Sequence, residues 1–102
     1  MGDSLKVMGS GTLTTANTTL ATVTAAGTLL LGFMSLANKY SADATCFITL
    51  NGIQIVPGKT IATKDAIFPP VQGAIVSAGA TIQGYANTAS AIDYYISGDE
   101  VT

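Results

Sequence analysis

The chain lacks most of the residue types on which enzyme active sites depend. Its 102 residues include no histidine, no tryptophan, no arginine and only one cysteine. Histidine is the commonest general base, and a reactive thiolate needs a histidine or a cationic neighbour, which Cys46 does not have in its strand-like stretch "ATCFITL". We therefore predict that the protein is not an enzyme and that Cys46 is a buried apolar residue.

Charge is also scarce, at 10% of residues with a net charge of −2. The four lysines form no basic stripe, which a nucleic-acid partner would require. Asp93 and Asp99 would lie on one side of a strand about 20 Å apart, too far for a catalytic carboxylate pair. Asp99-Glu100 is interpreted as a solvated acidic end rather than a calcium site. We predict no nucleic-acid partner, no metal and no cofactor.

Long hydrophobic runs are missing too. The longest, Ala25 to Ala37, is interrupted by glycine, threonine and serine and is shorter than the roughly 20 residues of a membrane-spanning helix. We predict no membrane partner. Low charge with 48% hydrophobic residues instead indicates one folded domain with an uncharged surface that faces a partner.

The stretch "GIQIVPGKT" (52–60) has the appearance of a phosphate-binding loop, but its spacing is wrong. The loop needs glycine five residues before Gly58, where the chain has Ile53. Asn51-Gly52 instead supplies the two positive-φ residues of a tight hairpin turn. The sequence predicts a returning strand at 53–56 that ends in a turn at Pro57-Gly58.

The chain consists of short β-branched runs separated by Gly, Asn, Asp and Pro, a pattern that is typical of strands and turns. They predict an all-β fold, a single β-sandwich of about eight strands with jelly-roll-like connections over residues 13–102; an immunoglobulin-like topology is the alternative. Residues 1–12, which contain "MGSG", are predicted to form an N-terminal arm. The expected strands are 4–8, 18–24, 28–37, 44–50, 53–56, 60–67, 72–77, 80–86 and 91–98.

Alternation predicts which side chains face the core. In the last strand Ile92, Tyr94, Ile96 and Gly98 are expected inside, and Tyr95 outside. The run "TLLLGFMSLAN" (28–38) is apolar on both faces, whereas one face of such a strand is normally solvated. Strict alternation places Leu30, Met34 and Leu36 on one face and Leu29, Leu31 and Phe33 on the other. The second face is therefore expected to be covered within the domain or by another subunit.

Four stretches, in order, resemble small β-sandwich proteins in the virions of tailed bacteriophages. They are "VTAAGTLLLGFMSLAN", "ATCFITLNG", "IVSAGATI" and "AIDYYISGDEV", and together they span roughly residues 18–101. The chain departs from the family pattern at Ala25 or Ala26, where proline is common, and in its long "IFPPVQG" crossing. The resemblance implies a capsid decoration (cement) protein; the alternative is a small tail or fibre module that binds a host receptor or glycan.

The resemblance also implies partners and a location. The expected partners are the protein itself, as a homotrimer, and the major capsid protein, and the expected location is the capsid surface of the virion. The candidate subunit interface comprises Leu29, Leu31, Phe33, Phe47 and Tyr95. The candidate capsid-docking arm comprises Leu5, Lys6, Val7 and Met8.

Overall fold

The structure is a computed structural model that describes the backbone of residues 3–23 and 27–101 and the side chains of residues 7–23 and 27–100. Over these ranges the chain forms nine strands and no helix. The strands are β1 (Asp3–Thr12), β2 (Thr18–Thr22), β3 (Thr28–Asn38), β4 (Ala44–Leu50), β5 (Ile53–Ile61), β6 (Ala66–Ile67), β7 (Ile75–Val76), β8 (Thr81–Ala86) and β9 (Ile92–Val101).

Two antiparallel sheets pack face to face. The five-stranded sheet has the order β1-β9-β3-β6, with β7 also paired to β3, and the four-stranded sheet has the order β2-β8-β4-β5. With the two-residue β7 set aside, the pairs are nested along the chain: first with last, second with second-last, and so inward to the β4–β5 hairpin. This nesting is that of a jelly roll, and it confirms the predicted all-β sandwich.

Alternating side chains fill the space between the sheets, as the sequence predicts for two strands. In β4 the inward positions Ala44, Cys46 and Ile48 are buried, and in β9 Ile92 and Ile96 are buried. Tyr94 packs half-buried against this core, and Tyr95 points out. Cys46 is 0% exposed, so its prediction as a buried residue is confirmed, and this burial raises the pKa of its thiol to about 11.

Strand β3 departs from strict alternation at Gly32. The pairing of β3 with β9 shifts register between Leu31 and Phe33, which is the signature of a β-bulge. The extra residue turns the following side chains over, so the predicted division into two faces is wrong after Gly32. The side chains that share the core are Leu29, Leu31, Met34 and Leu36.

The predicted turn at Pro57-Gly58 is also wrong. Asn51 and Gly52 form the hairpin turn with positive φ values of 50° and 81°, as expected, but β5 then runs without interruption to Ile61. Pro57 and Gly58 lie at a bulge opposite β4, where Gly58 takes a φ of 93°. A local proline-glycine signal fits a bulge as well as a turn, because both need an unusual backbone.

Residues 3–12, assigned from the sequence to an arm with a short strand at 4–8, form a longer edge strand, β1, along nearly the whole of β9. The "MGSG" stretch is accommodated by a register shift between Val7 and Gly9. A Cβ atom at Gly9 would overlap the carbonyl oxygen of Leu20. Here glycine therefore permits close packing of β1 over β2 rather than free motion.

The acidic end predicted at Asp99-Glu100 is not a solvated one. Glu100 is only 3% exposed, and Asp99 is half-buried. Both lie within β9, the strand between β1 and β3. The central place of β9 in the sheet removes these residues from the solvent that their position near the end of the sequence suggested.

Candidate assembly surface

The outer side of the five-stranded sheet carries a group of exposed apolar side chains, which we call the apolar face: Val7, Leu30, Phe33, Phe68 and Tyr95. The Gly32 bulge turns Phe33 outward, towards Tyr95 on β9, with ring centroids 6.3 Å apart. Phe68, which is 63% exposed, follows β6 and lies 5.8 Å from Phe33 on the other side. A group of exposed rings of this kind marks an interaction surface more often than a solvated one.

A groove of about 580 Å³ crosses the apolar face. Val7, Leu30 and Tyr95 form apolar walls, and Ser97 and Asp99 contribute polar atoms. The backbone turn at 72–73 closes one side, because the amide of Gly73 donates to the carbonyl of Leu31 at 2.9 Å. The groove is therefore largely apolar, and the Asp99 carboxylate forms part of its lining.

The carboxylate in this groove is not satisfied. Asp99 is paired in register with Leu30 of β3, so it sits beside an apolar neighbour. Its Oδ1 atom is buried from solvent and has no hydrogen-bond partner in the part of the chain that the structure describes. A carboxylate oxygen withdrawn from water without a donor is energetically costly.

The outer side of the four-stranded sheet, which we call the polar face, has a different character. The hydroxyls of Thr45 and Thr60 lie 2.9 Å apart, and Thr49 is flanked in register by two glutamines. The two aromatic rings on this face, those of Phe47 and Tyr85, stack on each other with centroids 4.5 Å apart and planes only 12° from parallel. The Thr45–Thr60 hydroxyl pair and the Phe47–Tyr85 stack are therefore contacts within the same chain.

A smaller crevice of about 300 Å³ lies at the edge of the sandwich where β5 approaches β6. Ile55, Pro57, Phe68 and Pro69 make it apolar, and Lys59 is its charged residue. Phe68 therefore belongs both to this edge crevice and, through its contact with Phe33, to the apolar face. The two apolar surfaces adjoin.

The structure brings together only part of the predicted interface. Phe33 and Tyr95 lie on the apolar face, but Phe47 lies on the polar face, on the opposite side of the sandwich. The assignment of Leu29 and Leu31 to a subunit contact is wrong, because they are 0% and 1% exposed in the core of their own chain. The sequence did not indicate Leu30, because the bulge that fixes which residues of β3 point outward was not foreseen.

The residues predicted to dock on a capsid lie in β1. Val7 is exposed at the rim of the groove, and Met8 is half-buried against the core. The side chains of Leu5 and Lys6 lie outside the described residues. Docking of these four residues on a capsid stays a prediction.

One charged cluster lies at the margin of the apolar face. Lys39 Nζ contacts Asp93 Oδ1 at 2.9 Å, and the Thr12 hydroxyl donates to the same oxygen at 2.6 Å. The Thr12 hydrogen bond, then Lys39, lowers the pKa of Asp93. Both charged side chains are about half exposed, so this is a solvated ion pair of small energetic weight.

Groupings expected of other functions do not occur in residues 3–23 and 27–101. These residues contain no cluster of three or more His, Cys, Asp or Glu side chains that could hold a metal ion. Nor do they include a helix with the length and apolar character to cross a membrane. The apolar face is the strongest candidate for a functional surface.

Comparisons of the chain with protein-family models, with curated proteins and with solved structures found no significant match.

Proposed function

We propose that this protein is a structural virion protein, a decoration protein that stabilises a phage head as a homotrimer. The observation that carries the proposal is the apolar face: aromatic and aliphatic side chains exposed together around a groove. Burial of such a face releases roughly 25 cal/mol per Å² of apolar area, which favours a permanent partner. The resemblance in the order of sequence stretches supplies the virion context.

The fold supports this proposal without identifying the partner. A jelly roll holds its core with nested strand pairs and leaves the two outer sheet faces free for contacts. Jelly rolls occur in viral capsid proteins, but also in lectins and other binding proteins. The choice of an assembly role follows from the apolar character of one face, since exposed apolar patches mark protein interaction surfaces.

Location and stoichiometry in a purified virion test the proposal. We expect quantitative mass spectrometry and labelled cryo-electron microscopy to find the protein on the head, in multiples of three per symmetric lattice site. Particles that lack it should form but lose infectivity faster on heating or in low salt. A few copies found only at the tail tip would instead support a receptor- or glycan-binding module.

A further inference from the structure

We propose that the groove at Asp99 receives Lys59 from a second copy of the chain, so that subunits join head to tail. The contact would place the edge crevice of one subunit on the apolar face of the next. The inference rests on the homotrimer of the proposed function and adds to it a specific charge pair with named surfaces.

Asp99 defines the chemistry of the occupant. Asp99 lines the groove and its buried Oδ1 lacks a donor among the described residues, so an ammonium group in the groove would pair with a carboxylate whose charge is otherwise uncompensated by a hydrogen bond at that oxygen. The groove walls are apolar, and a lysine side chain can lay its methylene stem along such walls while its charged end reaches the carboxylate. A cationic donor makes a stronger bond to a carboxylate than a neutral donor does, and an anionic occupant would be repelled.

Lys59 fits this description better than the other lysines whose side chains are described. Lys39 is already paired with Asp93, and Lys64 donates to the backbone carbonyl of Lys39. Lys59 is exposed in the edge crevice and has neither an ion pair nor a side-chain hydrogen bond among the described residues. It therefore presents an uncommitted cation with an apolar surround that includes Phe68 and Pro69.

The groove and the edge crevice are two different surfaces of one subunit, as the contacts of a closed ring require. A cyclic trimer uses heterologous contacts, in which each subunit presents two different and complementary patches. Among the described residues, the groove supplies an anion with an unsatisfied oxygen in apolar walls, and the crevice supplies an unpaired cation with apolar neighbours. Phe33 and Phe68, in contact at 5.8 Å, connect the two patches on one subunit.

Charge reversal tests the contact directly. The variants are Asp99→Lys, Lys59→Asp and the double reversal, with association followed by sedimentation over a concentration series at low salt. We expect each single reversal to weaken association at least about tenfold, since it opposes like charges in a desolvated site. The double reversal should recover affinity to within about threefold of the unchanged protein, because it restores the pair in the opposite sense.

A matched control and a second measurement keep the test decisive. Lys64→Asp changes a lysine to aspartate as Lys59→Asp does, at a positive-φ position that aspartate tolerates, and should leave association unchanged. Zero-length carbodiimide crosslinking of the unmodified protein should join Lys59 to Asp99 of another chain in peptides identified by mass spectrometry. This second measurement does not depend on whether a charge-reversed variant folds.

Three results would overturn the proposed contact. Single reversals that leave a trimer intact would show that the groove is not in the interface, while the proposed trimer itself would stand. Single reversals that dissociate the trimer without rescue by the double variant would show that Asp99 and Lys59 meet different partners. A monomer at high concentration would contradict both the contact and the homotrimer.

Discussion

The two outer faces of the sandwich differ although both are built from antiparallel strands of the same chain. On the polar face, threonine and glutamine side chains cover the sheet, and the Phe47–Tyr85 stack buries each ring against the other. On the apolar face, Leu30, Phe33 and Phe68 stand in solvent around a groove with a carboxylate oxygen that has no hydrogen-bond partner among the described residues. One face is complete as a monomer surface, and the other has the composition of an interface.

The contrast shows that low overall charge does not by itself identify a binding surface. The apolar face even carries the Asp99 carboxylate and, at its margin, the Lys39–Asp93 ion pair, but threonine hydroxyls and glutamine amides can hydrogen-bond to water and to each other, whereas phenylalanine and leucine cannot. What separates the faces is therefore the hydrogen-bonding capacity of the outward residues. Substitutions matched between the interior, the apolar face and the polar face can test this separation.

The largest effect is expected from adjacent residues on opposite sides of β3. Leu31→Ala should lower the free energy of unfolding by about 2–5 kcal/mol, because it leaves a cavity in the core. Leu30→Ala, one position away and 43% exposed, should lower it by less than about 1 kcal/mol while weakening self-association. Chemical denaturation of both variants measures the difference, and equal losses of stability would contradict the assignment of inside and outside.

A charge on the apolar face should disrupt assembly without unfolding the chain. Phe33→Asp puts an unpaired carboxylate into a dry contact, so we expect at least about a hundredfold loss of self-association with an unchanged β-type circular dichroism spectrum. Thr49→Asp is the matched control, because it lies on the polar face between Gln54 and Gln83. If both variants associate like the unchanged protein, the apolar face is not the interface.

Removal of a ring from each face should separate folding from assembly. Phe47→Ala should reduce stability by about 1–3 kcal/mol, because it removes a half-buried ring and its stacking on Tyr85, and should leave the oligomer unchanged. Phe33→Ala should change the stability little and should weaken association. Thermal unfolding together with light scattering distinguishes the two outcomes; loss of assembly in Phe47→Ala would reverse the roles assigned to the faces.

The smallest effect is expected at the ion pair beside the apolar face. The Thr12 hydrogen bond and Lys39 lower the pKa of Asp93 in the folded state, so the stabilisation is present above the unfolded pKa of about 3.9 and is lost as pH falls through the folded value. Asp93→Asn should cost at most about 1 kcal/mol at neutral pH, since the pair is half exposed. A stability difference that persisted at pH 2 would contradict this account.

Local signals in the sequence predicted the parts of the fold that local chemistry decides. Asn51-Gly52 specified the β4–β5 hairpin, because both residues accept positive φ. The alternation in β9 specified its inner and outer residues, because the inner positions Ile92, Ile96 and Gly98 are buried and Tyr94 packs half-buried against the core. The nested strand order was anticipated only as a jelly-roll-like connection.

The features that the sequence did not predict depend on pairing between strands that are distant in the sequence. The bulge at Gly32 depends on how β3 aligns with β9, where Gly98 approaches so closely that a Cβ atom would lie 2.6 Å from the Leu30 carbonyl oxygen. Residues 3–12 were assigned to an arm because their glycines suggested mobility, but β9 offers them a partner strand. For the same reason only two of the five candidate interface residues, Phe33 and Tyr95, lie on the apolar face: the apolar composition of β3 was evident from the sequence, and which of its side chains point outward was not.

Radical footprinting of the concentrated and the dilute protein tests the central contrast most directly. It reports the solvent exposure of each aromatic ring, and the two faces carry comparable rings. The account predicts that oxidation of Phe33, Phe68 and Tyr95 falls severalfold when the protein associates, while oxidation of Phe47 and Tyr85 does not change. Association that protects Phe47 and Tyr85 and leaves Phe33, Phe68 and Tyr95 reactive would contradict it.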